Sequence, residues 1–181
     1  HVPPGKRVFV PLCGKSLDLG WLLSQGYAVA GAELSELAVT QLFADLGMEP
    51  RVSQVVPLRL FRGEKIAIFV GDIFDLTREV LGPVDAVYDR ASLVALPEAL
   101  RSRYTAHLKA LTGMAPQLVI GYQYDQSVVD GPPFSVSPEE LRRHYGEDYT
   151  LTPLARVDVP GGLKGKCPAT EHVWRLTTRT S

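Results

Sequence analysis

Along the chain, short apolar runs alternate with stretches in which apolar residues recur every three or four positions. Residues 7–12 (RVFVPL), 27–32 (YAVAGA), 65–70 (KIAIFV), 84–88 (VDAVY) and 116–122 (PQLVIGY) read as buried strands. After the first strand, Ser16 is placed to cap a helix, Asp18 suits the positive end of its dipole, and Gly26 ends it. Ser35 caps a second helix, with Leu34 and Val39 at the positions of a hydrophobic staple and Gly47 as the stop. The strongest helical pattern spans 97–112, where Leu96, Leu100, Tyr104, Leu108 and Leu111 share one stripe and Pro97 suits the first turn.

The last third changes character. YTLTPLARVDV (149–159) and ATEHVWRLTT (169–178), joined by the Gly/Pro-rich PGGLKGKCP, predict an antiparallel pair. The expected class is α/β and Rossmann-like: a doubly wound, mostly parallel sheet with helices on both faces and a C-terminal antiparallel strand pair. With no repeat, linker or low-complexity tract, residues 1–181 are expected to form one domain.

Composition narrows the function. Nineteen basic residues against twenty acidic ones, with no basic run, give no electrostatic footprint for nucleic acid. No run of 18 apolar residues marks a membrane span. Cys13 and Cys167 form no C-x-x-C pair, and His107 and His144 lack ligand spacing, so neither a disulfide scaffold nor a metal site is expected. These features fit a cytoplasmic monomer. Position 1 is His, so a leading segment is expected upstream.

The first strand runs into Leu12-Cys13-Gly14-Lys15 and then a helix, yet G-x-G-x-x-G is absent. In doubly wound sheets, ligands bind beyond the carboxyl ends of the strands. At those ends stand Gly14, which lets backbone approach a ligand, and Glu33, about 20 residues on, where a carboxylate can accept from ribose hydroxyls. Next come Asp72-Ile73, suited to an exocyclic amine and a purine face, and Asp89-Arg90. Ribose and adenine contacts without a pyrophosphate loop imply an adenosine ligand lacking a diphosphate, and S-adenosylmethionine fits. Cys13 has no His to activate it and reads as a packed residue rather than a nucleophile. Asp130-Gly131-Pro132-Pro133-Phe134 offers a stiff wall with an exposed ring for a flat substrate.

The runs VPLCGKSLDLGWLLSQGYAVAGAELSELAV, GDIFDL, VYDRASLVAL and DGPPFSV resemble those of the thiopurine S-methyltransferase family, its bacterial members in particular. The resemblance implies a class I methyltransferase fold in which P-L-C-G replaces the glycine loop around the methionine part of S-adenosylmethionine. Carried over by position, Leu12, Gly14, Glu33, Leu34, Asp72, Ile73 and Arg90 would hold the cofactor. Arg90 would also lie beside the reacting sulfur as the catalytic residue, while the stiff Asp130–Phe134 wall itself places Pro133 and Phe134 at the substrate. The acceptor implied is a small aromatic or heterocyclic thiol, or a related selenium or tellurium species. Family members with a basic residue in the loop before the last strand use it near the substrate; here that loop offers only Lys164 and Lys166.

Three alternatives stand beside this reading: methyl transfer to oxygen or nitrogen, a catalytically silent adenosyl-ligand binder, and a dinucleotide oxidoreductase. Thermal unfolding separates the last from the rest. S-adenosylhomocysteine at 100 times its Kd is expected to stabilise the chain by about 2.7 kcal/mol, whereas NAD is expected to leave the midpoint unmoved. A shift with NAD alone would reverse the assignment.

Overall fold

In the computed structural model, residues 2–90 and 92–179 are described, and they form two compact units. The first comprises His1–Tyr88 with Ala110–Gly113 and the second Asp89–Lys109 with Met114–Ser181.

In the first unit, β1 (Arg7–Val10), α1 (Leu17–Ser24), β2 (Ala28–Glu33) and α2 (Glu36–Asp45) alternate strand and helix. The expected caps form: the Ser16 and Ser35 side chains accept from the Asp18 and Ala38 N–H groups. Leu34 departs from expectation, because at 71% exposed it adds little burial to a staple with the fully buried Val39. The first strand also stops two residues early, at Val10, because Leu12 takes φ +43° and turns the chain.

Next come β3 (Arg51–Val55) and β4 (Leu58–Gly63), an antiparallel hairpin to which the sequence reading assigned nothing. Four of the five β3 residues are exposed, so no alternation of buried and polar positions marks it. Then follow β5 (Ile66–Val70), a 3₁₀ turn at Ile73–Asp75, α3 (Arg78–Leu81) and β6 (Ala86–Asp89). β5, β2, β1 and β6 pair in parallel in that order, and β4 joins β5 antiparallel. Val8, Val10, Val29, Ile66 and Ile68 pack with Leu19 and Leu22 of α1 and Val39, Leu42 and Phe43 of α2. Each such side chain contributes about 1.5–3 kcal/mol when fully buried, so this cluster fixes where the carboxyl ends of β1, β2 and β5 stand.

The second unit contains α4 (Ser92–Ala95), α5 (Glu98–Thr112, whose end crosses into the first unit), β7 (Gln117–Tyr124), α6 (Pro138–Tyr145), β8 (Tyr149–Asp158) and β9 (Ala169–Thr178). β9 pairs antiparallel with both β7 and β8, so the expected C-terminal pair is present and has a further strand at its side. In α5 the predicted stripe needs one correction. Tyr104, Leu108 and Leu111 are buried, but Leu100 is 39% exposed and Arg101 is the buried residue at 3%.

The Arg101 guanidinium reaches both Glu140 carboxylate oxygens at 2.8 and 2.9 Å and donates to the Leu96 carbonyl at 3.0 Å. Glu140 is itself 8% exposed and lies 3.3 Å from His144 Nε2. An ion pair removed from water stabilises little on balance, but removing one partner strands the other charge. Arg101→Met is therefore expected to lower the unfolding free energy in urea by about 3–5 kcal/mol. Lys6→Met, which breaks the half-exposed Lys6–Asp85 pair, is expected to cost under about 1 kcal/mol. Equal losses would show that the Arg101 pair carries no special weight.

Candidate active site

The first unit brings together most of the residues expected to hold the cofactor. Leu12 and Gly14 lie in the turn after β1, Glu33 is the last residue of β2, and Asp72-Ile73 follow β5. The Cys13 N–H donates to the Ala32 carbonyl, and the Gly71 N–H to the Glu33 carbonyl, both at 3.0 Å, so the three strand ends are stitched side by side. Gly14 donates its N–H to Glu33 Oε2 at 2.7 Å, and Ser35 donates to Oε1 at 2.9 Å. One carboxylate thus joins the first turn to the start of α2.

The turn has a steric basis. Cys13 folds back on β2 at Gly31, where a Cβ would lie 2.9 Å from its Sγ and 2.7 Å from Ile68 Cδ1, so any larger residue would have to displace both side chains. Leu12 occupies the left-handed region, which a bulky side chain adopts only when its surroundings impose it. Asp72 is exposed and accepts the Phe74 N–H through Oδ1 at 2.9 Å; Ile73 is buried, and Leu34 is exposed beside Glu33.

Arg90 falls in the second unit, as the exposed residue after buried Asp89. Asp89 Oδ1 accepts from the Ser92 and Leu93 N–H groups, and Oδ2 accepts from the Tyr104 hydroxyl at 2.8 Å. The turn bearing Arg90 is therefore closed across its base. Burial raises the Asp89 pKa, and its hydrogen bonds oppose that shift. Sequence reasoning missed a neighbour of Arg90. Tyr122 is paired across β7 and β9 with Glu171; burial first, and Glu171 second, raise its pKa, while the Arg90 charge lowers it. Residues facing each other across a ladder carry no signal in either strand's own pattern, which is why Glu171 went unread.

The Asp130–Phe134 loop is pinned from several sides. Tyr124 donates its hydroxyl to the Pro133 carbonyl at 2.6 Å, the Phe134 N–H donates to Val94, and Lys164 Nζ donates to the Pro132 carbonyl at 2.9 Å. Phe134 differs from the exposed ring expected: it is half-buried, with the Arg101 guanidinium 5.6 Å from its centroid. Lys166 is exposed and lines a cavity of about 690 Å³ with Gln123, Asp158 and Thr170. Among the described residues no group of His, Cys, Asp and Glu could hold a metal ion, and no helix is long and apolar enough to cross a membrane.

With this geometry in place, comparison with known proteins becomes decisive: the profile of the thiopurine S-methyltransferases matches residues 1–179. The chain belongs to the thiopurine S-methyltransferase family. It is 57% identical over 175 residues to a thiopurine S-methyltransferase of Xanthobacter autotrophicus, covering 97% of this chain and 82% of that one. A solved S-adenosylmethionine-dependent methyltransferase from Methanosarcina mazei shares the fold, with TM-score 0.71, 13% identity and coverage of 99% and 95%. So does a Burkholderia thailandensis 1,6-didemethyltoxoflavin-N1-methyltransferase solved with S-adenosylhomocysteine, with TM-score 0.60, 18% identity and coverage of 96% and 72%. The Rossmann-like α/β expectation holds, and an S-methyltransferase is favoured over the oxygen, nitrogen and binding-only alternatives.

For a thiopurine S-methyltransferase, a cysteine at the mouth of the turn invites a nucleophilic role, and the structure argues against it. Cys13 is 4% exposed, and burial, with the Glu33 charge adding to it, pushes its thiol up to about 12. At pH 8 only about one thiol in 10⁴ would be ionised. Native protein at pH 8 is expected to leave Cys13 unmodified by iodoacetamide, with full reaction after unfolding, as read by peptide mass spectrometry. Fast labelling of the native chain would mean that the turn opens.

Proposed function

We propose that this enzyme moves the methyl group of S-adenosylmethionine to the sulfur of a small aromatic or heterocyclic thiol, or a related selenium or tellurium species, and does so as one methyltransferase domain. The observation that carries the reading is the Gly14–Glu33 contact, an acidic strand end held beside a backbone turn with no second glycine for a diphosphate. Each Glu33 oxygen takes one N–H and keeps a second lone pair, so two neighbouring ribose hydroxyls can still be accepted. The residues present therefore fit an adenosyl group. Leu12 and Gly14 would hold its methionine portion, Glu33 and Leu34 its ribose, and Asp72 and Ile73 its adenine. We place this small-molecule enzyme in the reducing cytoplasm as a monomer acting away from nucleic acid; two unpaired, buried thiols support the compartment and the charge balance supports the absence of nucleic acid.

S-adenosylmethionine, when bound, supplies an electrophilic methyl group on a sulfonium. The protein's task is alignment, which can contribute about 7–11 kcal/mol. Heteroaromatic thiols ionise more readily than a free cysteine thiol near 8.5, so a general base is unnecessary where the thiolate can be captured directly. Arg90, charged at any working pH, would favour that anion over the neutral thiol and serve both substrate and cofactor. Pro133 and Phe134 would form the wall for a flat ring, with Lys164 anchored at the neighbouring carbonyl.

Arg90→Ala is expected to lower kcat/KM for an aromatic thiol at pH 7 by about 10- to 100-fold, the range of one hydrogen bond to a charged group. Raising the pH above the acceptor's own pKa should recover most of the loss, because bulk solvent then provides the thiolate. Unchanged kinetics at pH 7 would remove Arg90 from the site.

A further inference from the structure

One face of β9 holds polar atoms that methyl transfer does not use. His172 and Trp174, two residues apart, project to the same side of the strand and are 4% and 5% exposed. Neither His172 Nε2 nor Trp174 Nε1 has a hydrogen-bond partner. Buried polar groups in native proteins are nearly always paired, with protein, water or ligand. These two side chains also line a cavity of about 470 Å³ between α6, β8 and β9, within the size range of small-molecule sites.

The charges around that cavity have a sign. Arg142 and Arg156 line it against one carboxylate, Glu139. Arg142 lies 5.8 Å from the Trp174 ring centroid and pairs with Glu139 at 3.5 Å, with both side chains more than half exposed and free to regroup. Arg156 is the cross-strand partner of His172; burial first, and the Arg156 charge second, lower the imidazole pKa, so a neutral ring faces a positive field. Beside them the β8 ladder breaks at a bulge between Pro153 and Ala155, which puts Pro153 and Leu154 on the wall. Cations and unpaired ring nitrogens over an apolar wall suit an oxyanion attached to a small apolar body.

We propose that the cavity bounded by α6, β8 and β9 binds a phosphoryl group, free or carried on a small aryl body, through Arg156 and Arg142 with the ring nitrogens of His172 and Trp174 beneath them. The site is separate from the Arg90 turn and independent of the assignment of substrate.

The test is a nuclear magnetic resonance titration of the full chain, ¹⁵N-labelled at indole and imidazole nitrogens, with inorganic phosphate and with phenyl phosphate at ionic strength held constant by sodium chloride. The expected result is a saturable shift of the Trp174 Nε1–H signal. The His172 titration midpoint should also rise, because a bound anion offsets Arg156 and Arg142 while Glu139 is already present. Arg156→Gln should weaken binding at least tenfold. Arg175→Gln, which removes the same charge from an exposed residue on the opposite face of β9, should leave it unchanged. Tighter binding of phenyl phosphate would identify an aryl phosphate as the ligand, and equal binding would identify phosphate itself. Shifts that grow linearly without saturation, or equal weakening by the two variants, would overturn the proposal and leave ordered water as the partner of both nitrogens.

Discussion

Glu33 accepts the Gly14 N–H through one oxygen and the Ser35 N–H through the other, and the mouth of the first unit depends on that clamp. Hydrogen bonds to a charged group are worth about 1.5–3 kcal/mol each. Holding Leu12 in the left-handed region costs on the order of 1–3 kcal/mol. The two bonds together outweigh that cost, so the turn keeps its shape because the carboxylate is there to receive it. Gly31 completes the arrangement by leaving room for Cys13, and the apolar cluster beneath holds the strands at the right spacing.

The same economy shapes the second unit. Asp89 spends both oxygens inside the fold, on the start of α4 and on Tyr104, so that its neighbour Arg90 is carried on a closed turn rather than a loose loop. Arg101, buried where the helical stripe calls for a leucine, binds Glu140 and lies over Phe134. An enzyme whose catalysis rests on alignment gains from such rigidity, because a small displacement of either partner forfeits much of the advantage of proximity. The family relationship supplies the chemistry, and these contacts supply the stiffness it needs.

Much of this was legible in one dimension. Ser16 and Ser35 announced their helices because capping is a local event, complete within four residues. The acid at the end of β2 stood out because strand, turn and helix each leave their own periodicity, and the distance between them fixes Glu33 about one strand-helix unit after the turn. The C-terminal pair was readable from its β-rich runs and the Gly/Pro loop between them.

Other features required the folded chain. β3 hides in mostly exposed residues whose order comes from pairing with β4, itself held against β5, rather than from their own pattern. Arg101 is buried because Glu140, 39 positions away, neutralises it, and Phe134 turned inward because that guanidinium offered its ring a partner. The cavity over His172 and Trp174 exists only where α6 meets a bulged strand. The amino-acid order by itself determined the parallel strands, the two serine-capped helices, the long helix and where the acidic strand end falls, since these follow from interactions within a few residues. Tertiary structure alone decided which charges are buried and which nitrogens go unpaired, since these depend on partners that only packing brings near.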